Sequence, residues 1–230
     1  MTILRARGII TSLFCATVVA ACSTTGGGSQ MSTMPAPARA PGGGPAAVAK
    51  ARADSARHPY TEADIHFMSG MIGHHAQAIV MARWAPTHEA SPAIRRLADR
   101  IINAQQDEIN SMQRWLADRQ LPVPEARPTG MRMMMNGVEH DMLMPGMLTE
   151  AQMKELDQAR GAEFDRLFLT FMIQHHRGAV SMVKELFDSY GAGQDETVFK
   201  FASDVNVDQS TEIARMEKML AYVTLGIEIQ

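Results

Sequence analysis

Apolar positions along most of the chain recur with a helical period. At 100° per residue, Asp64, Phe67, Met68, Met71, Ile72, His75, Ala78 and Ile79 fall in an arc of about 160°, with His74 at its edge near Met81. The same spacing returns at Asp165, Phe168, Met172, Ile173, His176 and Ala179. Punctuating residues then mark four long helices. Thr61 reads as an N-cap followed by an acidic first turn, and that helix runs to Trp84 before Pro86. Ser91 followed by Pro92 opens the second, which runs to about Gln120 ahead of Pro122 and Pro124. Thr149 to Gln152 resembles a capping box opening a long third helix that stops near Gly191 and Gly193. The fourth spans roughly Asp195 to Leu225.

Short links join helices one to two and three to four, so each pair forms an antiparallel hairpin. A stretch of about 28 residues separates the pairs, enough to run along helices of about 40 Å at 1.5 Å per residue. The predicted fold is all-α: a ferritin-like four-helix bundle of two pseudo-symmetric hairpins joined by a long Met-rich crossover. Its repeat halves are 58–120 and 149–230, with the crossover at 121–148. An internal duplication supports the division. Met71-Ile72-Gly73-His74-His75 returns as Met172-Ile173-Gln174-His175-His176, 101 positions later. In the following helices Ala98, Gln105, Glu108, Ile109 and Met112 correspond to Ala202, Gln209, Glu212, Ile213 and Met216 at an offset of 104.

The first residues do not belong to that bundle. Arg5 and Arg7 precede an apolar run from Gly8 to Ala21, and Val19-Ala20-Ala21-Cys22 resembles the lipobox of bacterial lipoproteins. The resemblance implies cleavage of 1–21, lipidation at Cys22 and, with Ser23 next, residence at the outer membrane facing the periplasm. An ordinary secretory signal with an incidental cysteine is the plainer alternative. Residues 22–57 are rich in Gly, Pro, Ser and Ala and read as a flexible tether, leaving 58–230 as the folded domain. The chain has two cysteines. Cys15 lies in the leader and Cys22 would carry lipid, so neither a disulfide nor a thiolate site is open to the bundle. Removing the leader's two arginines takes the formal charge from −3 to −5, with no nucleic-acid footprint.

Any metal in the bundle must therefore be held by imidazole, thioether, carboxylate or amide groups. The duplicated helices offer Met71, His74, His75 and Met81 in one copy and Met172, His175, His176 and Met182 in the other. Buried imidazoles need partners, and obvious acids are too few to serve four. Asp64 and Asp165 are first-turn acids, better suited to capping or to orienting histidines than to ligation. The crossover crowds Met131, Met133, Met134, Met135, Met142, Met144 and Met147 into 17 residues together with His140. Thioethers select Cu(I) and its mimic Ag(I), whereas imidazole also accepts Cu(II). These loop residues are auxiliary candidate ligands, or an apolar flap over the site, or both. Glu108 and Glu212 sit at matching positions, where solvated or capping roles are equally open. Three functions remain: copper binding for sequestration, tolerance or delivery; a ferritin-like Cu(I) or Fe(II) oxidase; and a structural or interaction bundle without metal. A thioether-rich, carboxylate-poor set favours binding over catalysis. An exposed flap would suit a copper-exchanging periplasmic partner or a second copy of the chain.

These motifs resemble domain of unknown function 305, on Asp64, Met71-Ile72-x-His74-His75, Ala78, Met81, Gln105-x-x-Glu108-Ile109-x-x-Met112 and the Met-rich link before Phe164-Asp165. The resemblance covers about His58 to Leu225. It implies a ferritin-like fold, an extracytoplasmic location and copper binding linked to copper tolerance. The implied ligands are Met71, His74, His75, Met81, Met172, His175, His176 and Met182. Leu169 in place of Met68 and Arg177-Gly178 in place of Ala76-Gln77 imply that the two sites differ.

Overall fold

The structure is a computed structural model that describes residues 43–135 and 137–227. The expected leader, Cys22 and the front of the expected tether lie outside the described residues, as do the side chains of Met133 and Met135. The described elements are α1 (Pro45–Arg57), α2 (Glu62–Trp84), α3 (Pro92–Asp118), β1 (Met131–Met135), β2 (Val138–Met142), α4 (Glu150–Gln158), α5 (Gly161–Asp188) and α6 (Glu196–Thr224).

Helices α2, α3, α5 and α6 form the predicted all-α bundle. Helix α2 packs on α3 and on α5, and α5 packs on α6. The N-termini of α2, α3 and α6 are built as their sequence suggests. Thr61 and Asp64 form a reciprocal capping box, Ser91 accepts from Ile94 N with Pro92 at the first turn, and Asp195 accepts from Thr197 N and Val198 N.

The repeated aspartates fix how the hairpins meet. Asp64, at the start of α2, accepts a 2.7 Å bond from Gly193 N just beyond α5. Asp165, at the start of α5, accepts from Ser91 N just beyond α2 at 3.1 Å. The beginning of each helix therefore lies at the end of the other, and α2 and α5 run antiparallel. Each acid ties down the turn of the opposite hairpin, and Asp64 also caps its own helix through Thr61 N at 2.6 Å. Burial holds the Asp165 carboxyl above the usual carboxylate range, opposed by its bonds to Ser91.

Three expectations are corrected. The rear of the expected tether is helical: Pro45–Arg57 forms α1, whose alanines favour helix even though little of it is buried. It docks on α3 through Gly43 N to Asp118 Oδ1 at 2.5 Å and Arg52 to Gln120 at 2.5 Å. The long third helix is broken, because Ala159 and Arg160 are extended and Gly161 has φ +57°. The Thr149 box thus opens only α4, and Gly161 N is satisfied by His88 O at 2.9 Å. The crossover also contains a β-hairpin, in which Met131 pairs with Met142 and Met133 with His140.

Glycines explain how that crossover seats itself. A Cβ on Gly70 would lie 2.6 Å from the Met144 methyl, one on Gly73 2.7 Å from Gly130 O, and one on Gly178 2.6 Å from Gly146 Cα. Gln77 locks the same segment through Nε2 to Pro128 O at 3.1 Å and Leu148 O at 3.0 Å, and through Oε1 from Leu148 N at 2.7 Å. The chain from Met144 to Leu148 is therefore a strap across α2 and α5. It buries the side of α2 that a bare bundle would leave open. His74, expected at the edge of the buried face, is fully buried as a result.

Candidate metal centre

All four paired histidines are fully buried where α2 and α5 meet. The His74 and His175 rings face each other across the pseudo-dyad with centroids 3.8 Å apart and planes inclined by 40°. His75 and His176 lie outside this pair, at 6.2 Å and 6.3 Å from their sequence neighbours. Burial, with the neighbouring His75 second, drives the His74 pKa down to about 3. Burial and then His74 push His175 well below its ordinary value. The central pair is thus held neutral, the form that offers a lone pair to a metal.

The nitrogen atoms are unevenly satisfied. His74 Nε2 lies 3.0 Å from Pro145 O on the strap. His176 Nε2 bonds Glu212 Oε2 at 2.7 Å. His75 Nε2 approaches Glu108 Oε2 to 2.6 Å, although without good hydrogen-bond alignment. The Nδ1 atoms of all four histidines, and Nε2 of His175, are buried without a partner. His88 supplies the contrast. It too is buried, yet Nδ1 pairs with Thr87 Oγ1 at 2.9 Å and Nε2 with Asp157 O at 2.9 Å. A structural histidine in this protein satisfies both nitrogens, and the paired histidines do not. Unpaired buried polar atoms cost about 1–3 kcal/mol each, which a bound cation would relieve.

The thioethers divide around this layer. Met81 and Met172 belong to one buried cluster with Leu97 and Phe168, and Met71 and Met182 belong to the other with Met112 and Val205. Every one of the four is buried. Because α2 and α5 are antiparallel, each cluster takes the methionine before one His pair and the methionine after the other. The soft donors therefore flank the imidazoles on both sides. Among the described residues no three His, Asp or Glu groups converge on one point, so an imidazole and carboxylate shell alone is not preformed.

The auxiliary residues separate into two groups. Met144 and Met147 are buried in the second cluster, with Met144 N bonded to Met147 Sδ at 3.3 Å. Met131 is half-buried against that cluster, whereas Met134, His140 and Met142 are exposed on the hairpin. The structure buries the Met144 and Met147 side chains of the strap in that cluster and leaves Met134, His140 and Met142 exposed.

Glu108 and Glu212 are the residues that sequence reasoning left undecided. Their side chains, 19% and 25% exposed, reach from α3 and α6 to the outer histidines. Gln105 and Gln209, one turn earlier, are buried with amide atoms lacking partners. The repeated Gln-x-x-Glu at an offset of 104 was the signal: two partner helices carrying one spacing toward one layer.

The family profile described as Domain of unknown function (DUF305) matches residues 64–220. A crystal structure of a DUF305 protein from Streptomyces coelicolor is 30% identical, with TM-score 0.59 over 73% of this chain and 96% of its own. A DUF305 fragment from Deinococcus radiodurans is 27% identical, with TM-score 0.57 over 70% and 97%. CopM in its Cu(II)-bound form is 28% identical, with TM-score 0.53 over 69% and 95%, and its Cu(I)-bound form gives TM-score 0.52. An uncharacterised protein of Acanthamoeba polyphaga mimivirus is 43% identical over 58 residues, a stretch spanning 25% of this chain and 38% of the viral protein.

Proposed function

The chain belongs to the DUF305 family, and from that premise we propose that it binds copper, holding Cu(I) between the paired histidines of α2 and α5. The observation that carries this reading is the set of buried imidazole nitrogens without partners, beside a His74–His175 ring pair at 3.8 Å. Four buried methionines flank that layer, and soft thioethers with imidazole suit Cu(I) and Ag(I) better than hard cations. CopM, solved with Cu(I) and with Cu(II) bound, supports the metal class at 28% identity.

The chemistry is ligation and shielding. Neutral imidazoles donate lone pairs, the apolar clusters exclude water, and the strap from Met144 to Leu148 closes the layer. The protein serves copper sequestration or delivery in the bacterial cell envelope, lipid-anchored through Cys22. Mass spectrometry of the mature N-terminus tests the anchor: an unmodified Cys22 contradicts it.

Thermal unfolding in the presence of Cu(I) under reducing, anaerobic conditions, or of Ag(I), tests the binding. Free ion at 100 times Kd stabilises a single-site protein by about 2.7 kcal/mol, or roughly 5–10 °C for a domain of this size. The combined His75→Ala and His176→Ala variant should lose most of that shift. No shift in the wild type, or the same shift in the variant, overturns the proposal.

A further inference from the structure

Three of the four paired imidazoles share one arrangement. His74 Nε2 faces Pro145 O at 3.0 Å, His75 Nε2 faces Glu108 Oε2 at 2.6 Å and His176 Nε2 faces Glu212 Oε2 at 2.7 Å. In each ring the other nitrogen, Nδ1, is buried without a partner. A carbonyl or ionised carboxylate oxygen only accepts, so a nitrogen hydrogen-bonded to one carries the proton, as at His74 and His176, and the 2.6 Å approach of Glu108 favours the same form at His75. The remaining nitrogen keeps its lone pair inside the protein. The acceptors come from three different places: the crossover strap, α3 and α6. Glu108 and Glu212 also occupy equivalent positions of the internal repeat, so the arrangement is built twice.

We infer that Glu108 and Glu212, aided by the Pro145 carbonyl, are positioning residues that fix His75, His176 and His74 as Nε2–H tautomers and so select Nδ1 as the ligating atom for a soft monovalent cation. This rests on the metal-binding role proposed above but names the donor atoms and the residues that set them. It makes the carboxylates, which sequence reasoning left between solvation and capping, the outer layer of the site. A second layer that fixes the tautomer and orientation of a ligating imidazole commonly changes metal affinity 10–100-fold.

The halves are not equivalent. The Glu212 bond to His176 is aligned, whereas the Glu108 contact with His75 is short but misaligned. Losing Glu212 should therefore release its histidine more completely than losing Glu108.

Imidazole 15N spectra of the full chain at pH 8 test this, first without metal and then with Ag(I). The expected result is an Nε2–H tautomer for His74, His75 and His176 in the metal-free protein. With Ag(I), coupling from 109Ag should appear on Nδ1 and not on Nε2. Glu108→Ala and Glu212→Ala should each mix the tautomers of the facing histidine and weaken Ag(I) binding on the order of 10–100-fold. Glu108→Gln and Glu212→Gln, which keep an acceptor oxygen, should recover most of the affinity. Nδ1–H tautomers in the metal-free wild type, or silver coupling on Nε2, overturn the inference without needing any variant to fold. Expected tautomers with no silver coupling anywhere would instead sink the copper-binding role and leave the tautomer assignment standing.

Discussion

Replacing Gly178 with alanine should destabilise the protein, although alanine is the better helix former. The added Cβ would lie 2.5 Å from the Pro145 carbonyl carbon and 2.6 Å from Gly146 Cα, with Pro145 O closer still. Both neighbours are backbone, so no flexible side chain can yield. The strap must retreat by about 1 Å to restore ordinary contact, an overpacking cost of about 1–3 kcal/mol. That movement also breaks His74 Nε2 to Pro145 O at 3.0 Å and Gln174 Nε2 to Gly146 O at 3.3 Å, worth about 1 kcal/mol each. Helix propensity returns about 1 kcal/mol. The net loss is about 2–4 kcal/mol, which at this size lowers Tm by roughly 5–15 °C. Urea unfolding followed by circular dichroism measures it, with an unchanged m-value confirming that stability alone has altered. A variant as stable as wild type, or more so, would refute the clamping of the strap onto α5.

Acid should weaken the metal-free fold through the central histidines. In the folded state His74 titrates at about 3 against an ordinary 6.5, so its contribution is complete above pH 6.5 and is lost as pH falls toward 3. At about 1.4 kcal/mol per pH unit, stability at pH 5 should be about 2 kcal/mol below that at pH 8 from this residue alone. His74→Phe should flatten the slope, and denaturant titrations showing no change between those pH values would contradict the burial argument. Asp64→Ala removes the acceptor of Thr61 N at 2.6 Å and of Gly193 N at 2.7 Å, an expected loss of about 2–4 kcal/mol. Thermal melting reads that loss directly, and a change under 1 kcal/mol would show that the cross-hairpin tie is dispensable.

Much of the bundle was legible because its signals are local. Thr61, Ser91, Thr149 and Asp195 announce helix starts through caps that need only neighbouring residues, and the duplicated His-His spacing announced that two helices share one layer. Contacts distant in sequence were not legible. Nothing near Gly178 says that Pro145 will lie against it, and nothing near Gln77 says that its amide will hold Leu148. The burial of His74 depends on that strap, so helical phase alone placed it at an edge. The break before Gly161 was hidden because Ala159 and Arg160 are not helix breakers; they are extended where Gly161 N reaches His88 O. The rear of the tether reads as flexible for the opposite reason: its sparse apolar pattern conceals an alanine-rich helix that docks through Gly43 and Arg52. Candidate ligands were visible as residue types at a spacing. Which nitrogen each imidazole leaves free required Glu108, Glu212 and Pro145 in three dimensions.

The proposed copper layer places the paired histidines around a soft ion amid buried thioethers. Copper K-edge X-ray absorption of the protein loaded with one equivalent of Cu(I) under anaerobic conditions tests it most directly. Copper in that layer should give imidazole scattering together with a sulfur shell, and the imidazole component should be lost in a variant lacking His74, His75, His175 and His176. A spectrum of sulfur alone that is unchanged in that variant would move the copper away from the histidines to a methionine-only site.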